Sequence, residues 1–226
     1  MALIKLGAIV TDISGKLGGH VFAKNRGGAY MRTKSTPINP STTLQTHVRA
    51  IFAFISSLWS TLTSAERESW RGKVGQYART NIFGDLKNPS GKSLFQRLNQ
   101  NLKLVGLAHL TVCPDPKSVP FVEIDGANAD LTAGTVAITA LGDTTGAKLM
   151  IFATPSLSQG TNFAKNDLRM IGVIDGAVAG NLDIATLYAN RFGSMVAGAN
   201  IVVGVKVVNT NGQSSPLESV KLKVVA

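Results

Sequence analysis

Residues 94–124 read LFQRLNQNLKLVGLAHLTVCPDPKSVPFVEI, and the hydrophobic period of the chain changes within this segment. Before residue 106, apolar residues recur at spacings of three and four, which predicts a helix ended by Gly106. The two prolines of CPDP, residues 113–116, then predict a stiff linker and a domain boundary. The helical residues are Leu94, Phe95, Leu98, Leu102 and Val105.

Downstream of the linker, short apolar segments separated by Gly, Asn, Asp and Ser predict β-strands. The predicted strands are residues 119–124, 135–141, 148–154, 168–174, 200–209 and 217–225. Six or seven short strands in about 110 residues are typical of an immunoglobulin-like or fibronectin-like sandwich. Helical spacing in residues 183–191 predicts one short helix at the edge of this sandwich.

Two further helices are predicted upstream. The first has one apolar face and begins near Asn39 as N-cap, with Pro40 in the first turn. The second opens at a capping box that runs from Thr63 to Glu66, and the pair therefore predicts a helical hairpin. The apolar positions of the first helix, which include one of the two tryptophans, are Leu44, Val48, Phe52, Ile55, Trp59 and Leu62. Packing in the core explains Trp59 and Trp70 better than stacking on nucleic-acid bases.

The first 36 residues are punctuated by glycine and contain strand-like segments at 3–10, 17–24 and 29–36. The sequence NRGG, residues 25–28, predicts a hairpin turn. Alternation after it predicts that Tyr30, Arg32 and Lys34 share one face. We therefore predict an α+β chain: a glycine-rich basic β-arm (1–36), a helical domain with a hairpin and three helices in all (37–112), and an immunoglobulin-like or fibronectin-like sandwich (117–226).

Positive charge is concentrated in the first half of the chain. Up to residue 110, fifteen Lys or Arg stand against four Asp or Glu, a net +11, and beyond it eight stand against nine, a net −1. The asymmetry predicts contact with nucleic acid or an acidic protein surface, and a solvated basic surface that only aids solubility is the alternative. The candidate partner-binding residues, all on the acid-poor arm, are Lys16, Lys24, Arg26, Arg32 and Lys34.

No motif for catalysis, cofactor binding or metal binding emerges. Gly91-Lys92-Ser93 resembles the end of a P-loop, but Leu86 occupies the position where the motif needs its first glycine. A helix N-terminus with Lys92 in solvent is the better interpretation. The three histidines and the single cysteine, Cys113, have no partner residues at ligand or catalytic spacing. We therefore predict a non-enzymatic protein with no cofactor and no small-molecule substrate.

Composition also bears on location. No apolar run reaches the roughly 18 residues that a membrane span requires, and the first residues alternate too early for a signal-peptide core. A single cysteine excludes an internal disulfide and fits synthesis in a reducing compartment. We therefore expect synthesis in the cytoplasm and no membrane partner.

Several segments of the first half resemble a known family. They are SGKLGG at 14–19, RGGAYMR at 26–32, PINP at 37–40 and QTHVR at 45–49, together with Trp59, Leu62-Thr63 and RESW at 67–70. This pattern is similar to an uncharacterised family of Bacteroidetes and of tailed phages that infect them, and it covers roughly residues 5 to 105. In those phages the family lies among virion structural genes. The resemblance implies a structural protein of the virion and brings no catalytic residue with it.

The first functional hypothesis is a phage virion structural protein, made in the host cytoplasm. Such a protein decorates the capsid or forms part of the tail, and its basic arm docks onto capsid or tail subunits by protein–protein interaction. A homo-oligomer and contact with nucleic acid stay open. The rival is a nucleic-acid-binding protein of the virion or one packaged with the genome. A third hypothesis is a host-glycan adhesin, which the lack of tryptophan after residue 110 disfavours.

Overall fold

Helices and strands occur in both of the units into which the chain divides, Met1–Phe95 and Gln96–Ala226. The structure is a computed structural model that describes residues 2–7, 9–36, 38–120, 122–130, 135–141, 143–161, 164–176 and 180–225. Its sheets are largely antiparallel, so the mixed α and β class is confirmed. The predicted domain limits 1–36, 37–112 and 117–226 stay predictions.

The N-terminal strands form a four-stranded antiparallel sheet in the order β1-β4-β3-β2. These strands are β1 (Ala2–Leu3), β2 (Gly15–Leu17), β3 (His20–Asn25) and β4 (Gly28–Thr33). The predicted hairpin turn joins β3 to β4, where the Asn25 side chain accepts a hydrogen bond from the Gly27 N–H at 2.8 Å. The strand predicted at 3–10 is wrong in extent, since β1 ends at Leu3. Beyond β1, one further backbone hydrogen bond runs from the Ile4 N–H to the Ala29 carbonyl. Gly7 follows three residues later.

The three predicted helices are present as α1 (Thr43–Thr61), α2 (Ser64–Gly72) and α3 (Gly91–Leu104). The predicted start of α1 is wrong, because its N-cap is Thr42 and not Asn39. Ser41, directly after Pro40, has a φ of 49°. This left-handed conformation cannot continue a right-handed helix, so α1 begins only after it.

The capping box that opens α2 is confirmed. The Thr63 N–H donates to Glu66 Oε2 at 2.8 Å, and the Glu66 N–H donates to Thr63 Oγ1 at 3.3 Å. The chain bends by 113° between α1 and α2, across a short link in which Leu62 and Thr63 are both extended. The two helices are thus joined at Leu62-Thr63, and the helical hairpin stays a prediction.

Aromatic side chains form the core beside these helices. Trp70 and Phe95 are both 0% exposed, with ring centroids 5.2 Å apart and an edge-on angle of 89°. Trp59 is half-buried and packs on the same Phe95 ring at 5.3 Å. Both tryptophans therefore pack on a core ring, as the sequence predicts. After α2 come a 3₁₀ turn (Val74–Tyr77) and a two-stranded hairpin, β5 (Arg79–Thr80) with β6 (Leu86–Lys87), which no sequence signal predicted.

Only part of the apolar face of α1 is packed. Ile55 is 1% exposed, but Leu44, Val48 and Phe52 are 36%, 38% and 49% exposed. The predicted apolar face is therefore exposed at its N-terminal positions and buried further along the helix. No single helix in the described residues is long and apolar enough to cross a membrane, and only the bent pair of α1 and α2 together has the length and composition.

Besides residues 96–104 of α3 and a 3₁₀ turn (Lys165–Asp167), the second unit contains a seven-stranded sheet and one short helix. These strands and this helix are β7 (Glu123–Asp130), β8 (Thr135–Leu141), β9 (Lys148–Ala153), β10 (Arg169–Asp175), β11 (Gly180–Asp183), α4 (Ala185–Phe192), β12 (Asn200–Val208) and β13 (Glu218–Val225). The strand predicted at 119–124 begins instead at Glu123, because Pro120 has no N–H to donate to a neighbouring strand. Phe121, also in that prediction, lies outside the described residues. Strand β11 was not predicted.

The strand order in this sheet is β10-β9-β12-β13-β7-β8-β11, and every pairing is antiparallel except that of β13 with β7. In β12, Ile201, Val203, Val205 and Val207 are at most 1% exposed, but the positions between them are not open to solvent, because Gly204 and Val208 are buried as well. The predicted short helix is present as α4, and its Tyr188 lies 1% exposed in the same core. These buried side chains hold β12 at the centre of the second unit.

Candidate docking surface

Two of the predicted cations lie on one face of the N-terminal sheet. Val21 of β3 is paired with Lys16 of β2 on one side and with Arg32 of β4 on the other. Residues paired across an antiparallel sheet share a face, and the two outer strands are roughly 9–10 Å apart. Lys16 and Arg32 are exposed and Val21 is half-buried between them.

Tyr30 and Lys34 extend this face along β4. Alternation places Tyr30 on the same side as Arg32, in a row with Leu3 and Ala23. Lys34 follows the end of β4, and its N–H donates to the Gly19 carbonyl at 2.8 Å, which continues the strand pairing by one residue. The face predicted for Tyr30, Arg32 and Lys34 is thus present. We call this surface the basic face; its members are Lys16, Val21, Tyr30, Arg32 and Lys34.

Lys24 lies on the opposite face of the sheet and already has a counter-ion. It pairs with Ala29 in the strand register, and its Nζ lies 3.4 Å from Asp12 Oδ2. Both side chains are more than half exposed, at 60% and 57%, so the ion pair is weak. Lys24 is therefore separated from the basic face, contrary to the grouping that the sequence suggested.

Arg26 lies in the β3–β4 turn and lines a separate cleft of about 400 Å³ with Trp59, Arg71 and Lys92. The cleft adjoins the start of α3, where Ser90 Oγ accepts the Ser93 N–H at 3.2 Å. The segment that resembles a P-loop is thus a helix N-terminus with Lys92 exposed, as predicted.

Sequence reasoning did not connect Arg71 and Lys92 with Arg26. A Cβ on Gly91 would lie 3.0 Å from Arg71 Cγ and 3.2 Å from its backbone nitrogen, so glycine permits the close approach of α3 to α2. That glycine, between Pro89 and the apolar positions of α3, was the available signal. The pairing partner of Arg71 is Glu68, at 3.5 Å on the exposed surface of α2.

The remaining predicted cations have no acidic partner within the described part of the chain. Among those residues, no carboxylate forms an ion pair with Lys16, Arg26, Arg32 or Lys34. No described carboxylate compensates these positive charges, so an acidic partner would gain from each contact.

Elsewhere, the described residues contain no group of three or more His, Cys, Asp or Glu arranged to hold a metal ion. Two side chains of the second unit have shifted pKa values. Hydrogen bonds from the Thr145 side chain and backbone lower the pKa of Asp143 below its usual range. Burial raises the pKa of Tyr188, and a hydrogen bond with Ser156 partly opposes this. Both shifts have local structural causes, and neither residue belongs to the basic face.

A second cleft, of about 430 Å³, lies at one end of the seven-stranded sheet. It is formed by the segment before β7, the β8–β9 connection and the β12–β13 connection, and among the described residues its lining has no aromatic ring. Its lining is Lys117, Ser118, Val119, Pro120, Thr145, Gly146, Ala147, Asn209 and Thr210. Without a ring for a sugar to stack on, this cleft gives the glycan hypothesis no support.

Comparisons with known proteins add little to this geometry. No family model matches the sequence. No curated protein matches it either. Among solved structures, 48% of the chain is similar to a family 76 glycoside hydrolase from a bovine Bacteroides thetaiotaomicron strain, with 13% identity and a TM-score of 0.31. The similarity spans 21% of that enzyme's length, and at this TM-score it supports neither a shared fold nor a shared activity.

Proposed function

We propose that this chain is a bacteriophage virion structural protein, either a capsid-associated decoration protein or a tail component. It docks onto neighbouring subunits through its basic N-terminal region. The observation that carries the proposal is the basic face, where Lys16, Arg32 and Lys34 are exposed and have no carboxylate partner among the described residues. Complementary charge steers association and sets its register.

The N-terminal sheet fits the role of a docking arm. None of the residues in β1 to β4 is buried, so the sheet has no core of its own. A sheet with this little buried surface is marginally stable by itself and gains stability when a neighbour covers one face. We therefore assign residues 1–36 as a β-arm that is completed by contact with another virion subunit.

For residues 117–226 we propose a fibronectin-like or immunoglobulin-like sandwich. The strand pairings support this assignment. Strands β7, β8 and β11 form one group of three and β9, β10, β12 and β13 form one of four, with two residue pairs between β7 and β13 joining the groups. Seven strands divided into groups of three and four are typical of such sandwiches.

The resemblance to the phage family, over roughly residues 5 to 105, favours the virion as the location, after synthesis in the host cytoplasm. The proposed partners are capsid or tail subunits with acidic surfaces. Such a role requires no catalytic residue, cofactor or small-molecule substrate, and docking accounts for three of the predicted cations, Lys16, Arg32 and Lys34.

Charge reversal of the basic face should prevent incorporation into particles. We expect Lys16→Glu/Arg32→Glu/Lys34→Glu to lower the amount of chain per particle by about tenfold or more, because each cation becomes a charge that repels an acidic subunit. Quantitative mass spectrometry of gradient-purified particles measures this.

The matched control reverses three exposed cations of the second unit, Lys117, Lys165 and Lys223, and should leave incorporation unchanged. Absence of the wild-type chain from particles would refute the virion assignment. If wild type and Lys16→Glu/Arg32→Glu/Lys34→Glu are incorporated equally, docking through the basic face is refuted, and the virion assignment itself is not.

The cleft at Arg26 favours a second candidate function, the binding of nucleic acid. Trp59 lies half-buried beside Arg26, Arg71 and Lys92, and an aromatic ring among cations is suited to a stacked base with its phosphate. On this hypothesis, single-stranded DNA binds with a steep salt dependence, and Arg26→Glu/Lys92→Glu weakens binding about tenfold or more. Gel shifts at several salt concentrations measure this, and no binding at about 50 mM salt excludes the candidate.

A further inference from the structure

The apolar stripe of α1 continues beyond the part that its own chain covers. The residues along the middle of this stripe are spaced four and three positions apart in turn (4-3-4-3-4). They are Leu44, Val48, Ile51, Ile55, Leu58 and Leu62. This is the heptad spacing of helices that pair side by side. The C-terminal half is covered, with Ile51, Ile55 and Leu62 at 6%, 1% and 8% exposed, whereas Leu44 and Val48 are 36% and 38% exposed.

The other half of the helix is exposed to solvent. All residues from Thr43 to Ala50 are exposed, and these include the apolar Leu44 and Val48. The open stripe begins at Leu44, passes Val48 and ends at Phe52, which is 49% exposed. Apolar side chains at this spacing favour a second apolar helix as their cover.

Charge distinguishes between the partners that this stripe would accept. Helix α1 has no Asp or Glu, and its one Lys or Arg is Arg49, which lies about 100° around the helix from Val48. An acidic partner would therefore find no cation within the stripe. A second copy of α1 would meet no charged residue there and no like-charge repulsion.

The spacing of the exposed residues also suits self-pairing. Leu44 and Phe52 each lie four residues from Val48, so an antiparallel pair related by a two-fold axis at Val48 places each Leu44 beside the Phe52 of the other copy. The larger ring then lies opposite the smaller side chain, and the same surface serves both partners, as a two-fold interface requires. We propose that the exposed stripe of α1 pairs with the same stripe of a second copy of this chain, antiparallel and centred on Val48.

The pairing is weak in dilute solution. The three side chains offer roughly 200–250 Å² of apolar surface per copy, against roughly 800 Å² per partner in a standard interface. Self-association should therefore be visible only at about 10–500 µM chain. The inference does not depend on the proposed docking function, because Val48 and the basic face are different surfaces and are altered by different variants.

Sedimentation velocity of the full chain across this concentration range tests the pairing. We expect a monomer–dimer equilibrium whose dissociation constant rises about tenfold or more in Val48→Glu, because two carboxylates would meet at the two-fold axis. The matched control is Ala50→Glu, about 160° around the helix from Val48, which should change the constant less than about twofold. Because both positions are exposed, both variants should keep the wild-type circular dichroism spectrum.

Cross-linking tests the geometry. Under mild oxidation we expect Val48→Cys to form a disulfide-linked dimer, because the two introduced thiols would meet at the two-fold axis. Ala50→Cys should remain monomeric, because position 50 lies on the other side of the helix. The natural Cys113 should not interfere, since it is 1% exposed. A wild-type chain that stays monomeric to about 500 µM would overturn the proposal and assign the stripe to another protein or to another segment of this chain. Dimers equally strong in both glutamate variants would overturn it as well, by placing the interface elsewhere.

Discussion

Trp70→Ala is expected to lower the free energy of unfolding by about 3–5 kcal/mol, the usual cost of truncating a fully buried aromatic residue. Trp70 is 0% exposed, and its ring meets that of Phe95 edge-on with centroids 5.2 Å apart. Alanine removes the buried ring and its edge-on contact with Phe95, and a cavity remains between α2 and α3. Urea denaturation followed by far-UV circular dichroism measures the change.

The control for this substitution is Ile82→Ala. Ile82 is 77% exposed in the connection between β5 and β6, so its truncation should change stability by no more than about 0.5 kcal/mol. A loss of less than about 1 kcal/mol in Trp70→Ala would show that Phe95 and its neighbours do not depend on this ring. The packing that joins α2 to α3 would then have to be reassigned.

Sequence-based predictions were right where the residues that determine a feature lie within a few positions of it. The capping box at Thr63 and Glu66 and the glycine that ends α3 act within a few residues, and both predictions were right. The start of α1 was wrong because the left-handed conformation of Ser41, a residue that is not glycine, has no sequence signal. The four residues of β11 are too few to show a period.

Periodicity indicated which face of α1 is apolar but not what covers it. Ile55 and Val48 occupy equivalent positions in the pattern, yet they are 1% and 38% exposed. Burial depends on which elements lie nearby, and those contacts are long-range. For the same reason the cleft between Arg26 and Lys92 had no counterpart in the sequence. The β5–β6 hairpin is local, but its strands of two residues each are too short to show a period.

The candidate site shows the same limit. Composition identified the five cations of the arm, but the strand register decided which of them share a face. Lys16 and Arg32 flank Val21, whereas Lys24 lies on the other side and contacts Asp12. A register shift of one residue exchanges the faces, and register depends on turn lengths that composition does not specify.

The second large effect is expected at Gly212, in the connection between β12 and β13. Gly212→Ala should lower the free energy of unfolding by about 2–5 kcal/mol, from two additive causes. Its φ of 75° costs a residue with a Cβ roughly 1–2 kcal/mol. The new Cβ would also lie 2.3 Å from the Leu98 carbonyl oxygen, and such overpacking costs about 1–3 kcal/mol more.

Relief of this clash is difficult because its surroundings are held on both sides. The Gly212 carbonyl accepts a 2.8 Å hydrogen bond from the Asn101 side chain, and the Gly212 N–H donates to the Asn209 carbonyl at 3.0 Å. The atom in the way is backbone within α3, so no side-chain rotation can move it. Thermal unfolding of the full chain measures the effect.

Gly106→Ala separates the two causes. Gly106 has a similar φ of 78°, and the hydrogen bond from the Leu107 N–H to the Leu102 carbonyl is typical of a left-handed residue that ends a helix. A Cβ there would have nothing within 4 Å, so only the conformational cost of roughly 1–2 kcal/mol should appear. The difference between the two alanine variants then measures the contact of the β12–β13 connection with α3. Equal losses in both would mean that this connection moves away from α3 at little cost, and that the close approach of Gly212 to Leu98 does not anchor the helix to the sheet of the second unit.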